Sequence, residues 1–242
     1  MSRRDTFLGR QKQRGYIMNP YRFGGGAGTD PYFSSVVQLA HFDGTNGSTT
    51  FTNSCPRGNT LSAVASAALS TSQSKWGGAS LRISGNSTMV AKGAQNDDYE
   101  FSNADFTIEF WIRFDNITST QDVFAHYDGG ALIRMVNPGQ LIYRVDGVYR
   151  ITSATNAVSA TTWHFLSLSR ASNVFSLAVD GVSVGSWSNS WDFGTATGEL
   201  YVGNSAYDVS LVGYIDDLRV TKGVGRYTTA TFTPPTEAFP DS

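Results

Sequence analysis

Short apolar runs alternate with turn signals along most of this 242-residue chain, from about residue 36 to residue 220. Two such runs meet at Asp146-Gly147 and two others at Asp180-Gly181, while the segment 137–139 (Asn-Pro-Gly) separates a third pair. Asp-Gly between alternating segments is a strong short-range signal for a two-residue β-hairpin, and hairpins join antiparallel neighbours. Because the spacing leaves no room for helical crossovers, the chain is predicted to be all-β.

A dozen candidate strands follow from this pattern, enough for two packed sheets. They cover residues 36–42, 80–83, 106–114, 123–127, 132–136, 141–145, 148–151, 163–170, 174–179, 182–187, 200–202 and 212–220. In the window 61–69 the apolar residues fall at helical spacing, but its Ser content weakens a helix, so both alternatives remain open there. The proline-rich tail at 231–240 is unsuited to a central strand and is predicted to run along the surface as a strap.

The composition agrees with a β-rich, loop-rich domain. Charged residues make up 16% of the chain, against about 25% in an average globular protein, while the sequence has 25 glycines and is 13% aromatic. We therefore do not expect a helical bundle or a coiled coil. A sole cysteine, Cys55, and three scattered histidines make a zinc site improbable, and we expect neither a signal peptide nor a membrane-inserted segment.

The charge is distributed unevenly along the chain. Residues 1–22 hold six basic groups and one acidic group, +5, whereas the other 220 residues hold 12 basic and 19 acidic groups, −7. We interpret residues 1–35 as an anchoring arm with a glycine-rich linker, and residues 36–242 as the folded domain. The alternative is a solvated basic tail. The proposed anchoring residues are Arg3, Arg4, Arg10, Lys12, Arg14, Tyr16, Tyr21, Arg22 and Phe23.

Several motifs occur in a characteristic order. They are HFDGTNG at 41–47, KWGGASL at 75–81, FTIEFWIR at 106–113, GYIDDLRV at 213–220 and the ending TKGVGRY at 221–227 followed by FTPP at 232–235. Together they resemble the laminin-G-like, concanavalin-A-like jelly-roll domain, in the version found in tailed-phage virion proteins. The resemblance covers about residues 36–240 and implies a two-sheet antiparallel jelly-roll sandwich with an extended N-terminal arm. It does not specify a function, because this fold hosts lectins, adhesion modules, glycanases and structural subunits.

The resemblance also implies a structural calcium ion on the rim, with carboxylates from Asp43 and from the Asp216-Asp217 pair. Alternation along a strand places Asp216 and Asp217 on opposite faces, so only one of the two can serve the same ion, and Asp216 is the candidate. The alternative is a turn aspartate at Asp43 together with an Asp217–Arg219 ion pair.

Enzyme chemistry has two candidate patterns. Asp105 and Glu109 share a strand face, but the spaced set of acidic residues typical of related glucanases is absent. The segment 181–185 matches the G-x-S-x-G nucleophile elbow, but no helix follows it, so a hairpin turn explains it better. We therefore expect a protein without enzymatic activity.

Sugar binding needs an apolar ring that stacks on a sugar face and a few well-placed polar groups. The candidate glycan or partner contacts are Tyr143, Tyr149, Trp187 and Trp191. The two tryptophans are expected in an exposed loop; the alternative is that they pack in a small apolar cluster outside the main core.

The predicted function is that of a phage virion structural protein, specifically a capsid decoration or accessory subunit. The arm would bind other virion proteins of the capsid or tail, and the jelly roll would display loops that bind cell-surface or environmental glycans, with the subunit as a possible homo-oligomer on the particle. Nucleic acid is not an expected partner, because the arm lacks interleaved aromatic residues. The alternatives are a tail- or fibre-associated receptor-binding module and a glycan-degrading enzyme.

Overall fold

A computed structural model describes residues 28–65, 67–85, 91–93, 97–126, 130–190, 199–205 and 209–242. Within these ranges the chain forms fifteen β-strands and two short 3₁₀ turns, at Phe33–Ser35 and Asp97–Tyr99. All named strand pairs are antiparallel, and the strands build two sheets, which we call sheet I and sheet II. The predicted two-sheet antiparallel sandwich is therefore confirmed.

Sheet I has eight strands. They are β1 (Val36–Ala40), β3 (Ala68–Ser70), β4 (Ser80–Ser84), β6 (Phe106–Phe114), β11 (Trp163–Ala171), β12 (Val174–Val179), β13 (Val182–Ser188) and β15 (Val212–Lys222). Their order is β13-β12-β11-β6-β15-β4-β3, and β1 also pairs with β15.

Sheet II has seven strands. They are β2 (Leu61–Ala63), β5 (Ala91–Gly93), β7 (Gln121–His126), β8 (Ala131–Val136), β9 (Gln140–Val145), β10 (Val148–Thr152) and β14 (Leu200–Val202). Their order is β10-β9-β8-β7-β14-β5-β2, so β10 is an edge strand of sheet II and contacts β13, the edge strand of sheet I.

Two predicted hairpin turns have the backbone geometry that their sequence requires. Asp146 and Gly147 have φ values of 47° and 77°, and Asp180 and Gly181 have 49° and 80°. Positive φ at both central residues is the requirement of a type I′ turn. The open question at 61–69 is also answered: this window contains β2 and the start of β3, not a helix.

The main core lies between the sheets and is mostly aromatic and branched aliphatic. Phe110 and Ile112 of sheet I and Ile133, Met135 and Leu141 of sheet II are all essentially inaccessible to solvent. These residues alternate along their strands with residues of the outer faces, as strand geometry requires.

A second apolar cluster covers the outer face of sheet I. Trp111 and Phe165 of this face pack against Phe239, Phe232 and Tyr227 of the segment 223–242, which we call the strap. A strap rich in proline can follow a sheet face without donating to its ladder. The outer face of sheet I is therefore largely occupied by the chain's own C-terminal segment.

A buried ionic cluster holds the strap to the start of the described chain. Asp30 accepts two hydrogen bonds from the Arg226 guanidinium, at 2.9 and 2.6 Å, and one from Arg219 at 3.0 Å. Arg219 also donates to Glu109 at 2.8 Å, and Glu109 accepts the hydroxyl hydrogen of Tyr227. Residues 30–35, which the sequence interpretation assigned to the arm, thus contact the folded domain.

Candidate functional site

The exposed edge of sheet II carries an aromatic ring next to a cation. Tyr149 on β10 is 54% exposed and lies directly opposite Arg144 of β9 in the strand register. Directly opposite residues of an antiparallel pair share one face, so both side chains belong to the outer face of sheet II. Leu132 of β8 is the next residue in this row and forms a small apolar floor with Ala125 and Tyr201.

Trp187 adjoins this edge but does not lie in an exposed loop, so that prediction is wrong. It belongs to β13 and packs on the main core, with ring centroids 5.0 Å from Phe175 and 6.5 Å from Tyr143. Its other side is covered by the guanidinium of Arg150, 4.9 Å from the ring centroid. The contact between β10 and β13, the edge strands of the two sheets, therefore places a cation over the indole.

The prediction for Tyr143 is wrong as well. The side chain is 1% exposed and faces the main core, because inward and outward positions alternate along β9. Burial raises the pKa of its phenol far above the usual value.

Trp191 and the nine anchoring residues of the arm lie outside the described residues. Of the four predicted aromatic contacts, Tyr149 is accessible, and Trp187 supports the site through Arg150. We call Arg144, Tyr149, Arg150 and Trp187 the edge patch.

The two aspartates proposed as calcium ligands lie at one rim of sheet I. Asp216 Oδ2 accepts the backbone N–H groups of Lys75 at 2.6 Å and Trp76 at 3.1 Å, whereas its Oδ1 is buried with no hydrogen-bond partner. Asp43 lies against Gly77, where an added Cβ would be 1.9 Å from both carboxylate oxygens. The KWGG segment thus supplies two N–H donors and the space for a carboxylate.

The electrostatics of this rim favour a positive charge. Burial, together with the neighbouring charges of Asp217 and Asp43, raises the pKa of Asp216 to about 7 in spite of its two N–H donors. Asp217 has its own partners: it accepts from His41 Nδ1 at 2.6 Å and from the backbone N–H of Phe239 at 2.9 Å. Burial opposes protonation of His41, but its hydrogen bonds to Asp217 and Asp241 raise its pKa to about 9.

These residues fit a hard cation in part. Asp216 Oδ1 is an orphaned acceptor near a second carboxylate, which is the donor chemistry that calcium prefers. However, no group of three or more His, Cys, Asp or Glu side chains suitable for a metal is found in the described part of the chain. A calcium ion here would therefore rely on main-chain carbonyls and water in addition to Asp43 and Asp216.

The proposed glycosidase pair is not assembled. Glu109 is fully buried beneath the strap and bonded to Arg219 and Tyr227, while Asp105 accepts the backbone N–H of Ser172. A sugar cannot reach a carboxylate that the protein's own aromatic strap covers. Ser183 of the G-x-S-x-G match lies on β13 just after the Asp180-Gly181 turn, as the hairpin interpretation predicts.

A Ser–His–Asp hydrogen-bond chain is present that sequence reasoning missed. His164 Nδ1 lies 2.7 Å from Asp180 Oδ2, and its Nε2 lies 3.0 Å from the Ser159 hydroxyl. Hydrolases use this order of groups to activate serine. Here the backbone N–H of Ser159 also donates to Nε2 at 3.0 Å, so it competes with the hydroxyl for the single lone pair. The chain of bonds fastens the 153–162 loop to the β12–β13 hairpin.

The described part of the chain has no helix long and apolar enough to cross a bilayer. A family model described as the concanavalin A-like lectin/glucanases superfamily (Laminin_G_3) matches residues 84–224, more than half of the chain. This chain belongs to that family. The match covers β5 through β15, including the Asp216-Asp217 pair and the edge patch. A search of curated protein sequences finds no match.

Solved structures with the same fold are distant in sequence. Domain 4 of the GH43 extracellular arabinanase AbnA from Geobacillus stearothermophilus, in complex with arabinotriose, is 16% identical with a TM-score of 0.58, covering 81% of this chain and 97% of that domain. A structure of botulinum neurotoxin type C, whose entry into cells depends on two ganglioside molecules, is 13% identical with a TM-score of 0.58, covering 80% of this chain and 49% of that one. Trypanosoma rangeli sialidase with 2,3-difluorosialic acid is 13% identical with a TM-score of 0.61, covering 84% and 32%. At these identities the likeness establishes the fold.

Arg144 and Arg150 are the residues of the edge patch that sequence reasoning missed. A signal was available, since both flank the predicted Asp146-Gly147 hairpin and Arg150 follows Tyr149 directly. Their placement beside one ring and over another depends on strand register and on the contact between the two sheets, neither of which is a local property.

Proposed function

We propose that this protein is a non-enzymatic, glycan-binding module and that the edge patch is its binding site. The exposed ring of Tyr149 carries the proposal, because a tyrosine more than half exposed beside an arginine supplies both the stacking surface and the polar groups that a sugar requires. The family, with its lectins and glucanases, supports this choice, as do structural neighbours crystallised with arabinotriose or described as binding gangliosides.

The test is a glycan array probed with the full chain and with Tyr149→Ala. Loss of the ring should abolish or strongly weaken binding while leaving the melting temperature unchanged, because the side chain is exposed. Tyr32→Ala is the matched control, since Tyr32 is 41% exposed and lies over Arg226 of the strap, away from sheet II. Equal binding by the wild type and Tyr149→Ala would show that sugars bind elsewhere or not at all.

We further propose that the module is a virion subunit, a capsid decoration or accessory protein held by its basic arm. The charge of +5 in residues 1–22 and the resemblance of the C-terminal motifs to tailed-phage virion proteins support this assignment. Because Asp30 and Phe33 contact the folded domain, the deletion that spares these contacts is 1–27. The truncated protein should melt like the full chain but no longer co-sediment with particles. Co-sedimentation of the truncated protein would contradict anchoring by the arm. If electron microscopy of particles located the full chain on tail fibres, the receptor-binding alternative would be favoured.

A structural calcium ion at Asp43 and Asp216 is part of the same proposal. Bound calcium would supply a partner for Asp216 Oδ1 and offset the repulsion between the two carboxylates. Adding calcium to chelator-treated protein should raise the melting temperature, because a ligand that binds only the folded state stabilises it. Asp216→Asn should remove this response. A melting temperature that calcium and chelator leave unchanged would exclude the ion.

Two experiments test the proposal that the protein has no enzymatic activity. The protein should release no reducing sugar from the glycans that it binds on the array. A fluorophosphonate probe, which labels activated serines, should leave Ser159 unmodified because the backbone N–H of the same residue occupies His164 Nε2. Labelling of Ser159 that disappears in His164→Gln would establish a catalytic serine and replace this part of the proposal.

A further inference from the structure

We propose that the edge patch selects acidic saccharides, with Arg144 and Arg150 binding the anionic group. This inference rests on the proposed glycan-binding function and assigns the chemical class of the ligand.

The first observation concerns how arginines are used across the fold. The structure describes nine arginines, and seven of them form an ion pair with a carboxylate or donate to backbone carbonyls of the protein: Arg57, Arg82, Arg113, Arg134, Arg170, Arg219 and Arg226. Among the described residues, no carboxylate or carbonyl partner is found for the other two, Arg144 and Arg150. These two are the arginines next to Tyr149.

The second observation is how the two guanidinium groups are held. Arg144 stands between Leu132 and Tyr149 in one cross-strand row, and a terminal nitrogen of its guanidinium lies near Gly147 of the hairpin turn. The nearest acidic residue in sequence, Asp146, has its carboxylate close to Gly130 instead. Within the part of the chain that the structure describes, the Arg144 guanidinium thus stands among apolar neighbours and has no acidic partner.

Arg150 is held by the seam between the two sheets. Its guanidinium lies 4.9 Å from the centroid of Trp187, and its Nε is buried with no hydrogen-bond partner. Stacking on an indole fixes the guanidinium plane and leaves the donors of its two terminal nitrogens available to a ligand. An arginine fixed in this way loses little conformational freedom when it binds an anion.

The two cations and the ring together match an acidic sugar. Guanidinium groups bind carboxylates and phosphates with paired, charge-assisted hydrogen bonds, while a tyrosine ring packs on the apolar face of the pyranose. The domain outside residues 1–22 carries a formal charge of −7, so long-range attraction does not account for binding an anion, and selectivity must come from these local cations.

The experiment compares matched ligands on the full chain. Oligogalacturonate is measured against the same oligosaccharide with its carboxyl groups reduced to alcohols, and a phosphorylated sugar polymer against its dephosphorylated form. We expect the charged member of at least one pair to bind about tenfold more tightly, with the preference falling at high salt. The pair that shows the preference identifies the anionic group as carboxylate or phosphate.

The double variant Arg144→Gln, Arg150→Gln should bring the ratio within each pair to about one, with only a small fall in melting temperature from the lost stacking of Arg150 on Trp187. Arg57→Gln is the matched control, because Arg57 is half-exposed at a different site and makes only a long ion pair of 3.6 Å with Asp98. A preference that survives in the double variant would overturn the inference. So would equal binding of charged and neutral sugars, provided that binding still depends on Tyr149, in which case the proposed function stands. No binding of any glycan would contradict both.

Discussion

At the scale of single residues, the charged groups buried between sheet I and the strap lie among opposite charges. Asp30 is 5% exposed and meets two guanidinium groups, and Glu109 is fully buried beside Arg219 and Tyr227. The pairing offsets the desolvation of these groups, and removing one partner from such a pair costs about 3–5 kcal/mol because it leaves an uncompensated buried charge. The cluster therefore determines where the start of the domain and the strap meet.

Replacing Asp30 by Asn should destabilise the protein by about 3 kcal/mol, because it leaves excess positive charge buried at Arg226 and Arg219. Burial opposes ionisation of Asp30, but Arg226 and Arg219 outweigh it and lower the pKa. Its contribution is therefore fully present above the unfolded-state pKa near 4 and is lost as the pH falls through the lower folded-state value. Denaturant unfolding at pH 7 and at pH 2–3 should show the gap between wild type and Asp30→Asn narrowing in acid. A gap that stays constant with pH would mean that packing, not charge, is lost.

Gly77→Ala should destabilise the rim by about 1–3 kcal/mol, since the new Cβ would meet the Asp43 carboxylate at 1.9 Å. Gly58→Ala is the control: its φ of +70° resembles the +59° of Gly77, but nothing lies within 4 Å of an added Cβ. The difference between the two melting temperatures isolates the steric contact from the backbone strain. Equal losses would show that Asp43 moves away at no cost.

At the scale of elements, the strands that lie in the middle of sheet I form the framework and the strap covers it. β6 pairs with β11 on one side and β15 on the other, and β15 also pairs with β1 and β4. β15 carries Asp216, Asp217 and Arg219, which place the rim and the ionic cluster on one strand. The bulge at Asp217, with φ of 50°, separates the partners of Asp216 from those of Asp217.

Phe239→Ala should cost about 3–5 kcal/mol, because this strap residue is 4% exposed and packs on Phe165 and on the Arg219 guanidinium, 3.8 Å from its ring. Denaturant unfolding measures the loss. Phe239→Leu keeps most of the buried area and should recover much of it. If Phe239→Ala cost less than about 1 kcal/mol, the strap would be held chiefly by the ionic cluster rather than by apolar packing.

The elements also show how far pattern reasoning reaches. β6 and β12 were predicted to the residue, and β11 and β15 to within two residues at one end, because alternation and an Asp-Gly turn are local signals. Of the four three-residue strands that the structure describes, only β14 was predicted, because its residues Leu-Tyr-Val have high strand propensity. β2, β3 and β5 consist mostly of Ala, Ser, Gly and Lys and are held by their pairing partners.

At the scale of the whole molecule, the two ends of the described chain lie together and apart from the edge patch. The Asp30 N–H donates to the backbone carbonyl of Ser242 at 2.6 Å, and both residues belong to the strap side of sheet I. Tyr149 and Arg144 lie on the outer face of sheet II, the other layer of the sandwich. An arm joined at residue 28 therefore starts on the side that does not present the binding residues.

Attachment to a surface through residue 1 should accordingly leave glycan binding intact. The contrasting attachment uses Thr152→Cys on β10, an exposed position beside the edge patch, and is selective because the only native cysteine, Cys55, is buried. Surface plasmon resonance should show full binding capacity for the first attachment and a clear loss for the second. Equal capacity in both orientations would place the binding site away from the β9–β10 edge.

The sequence by itself determined the all-β class, the boundaries of β6 and β12 and the hairpin turns, because these depend on alternation and on the φ angles of two adjacent residues. It also carried the family motifs. Only the tertiary structure decided that Tyr143 is core, that Trp187 lies under Arg150 and that Glu109 is sealed beneath the strap. These outcomes depend on contacts between distant parts of the chain, such as Asp30 with Arg226, 196 residues apart. Local patterns assign a side chain to a face of its strand, but only the packing of the sheets and the strap determines whether that face meets solvent.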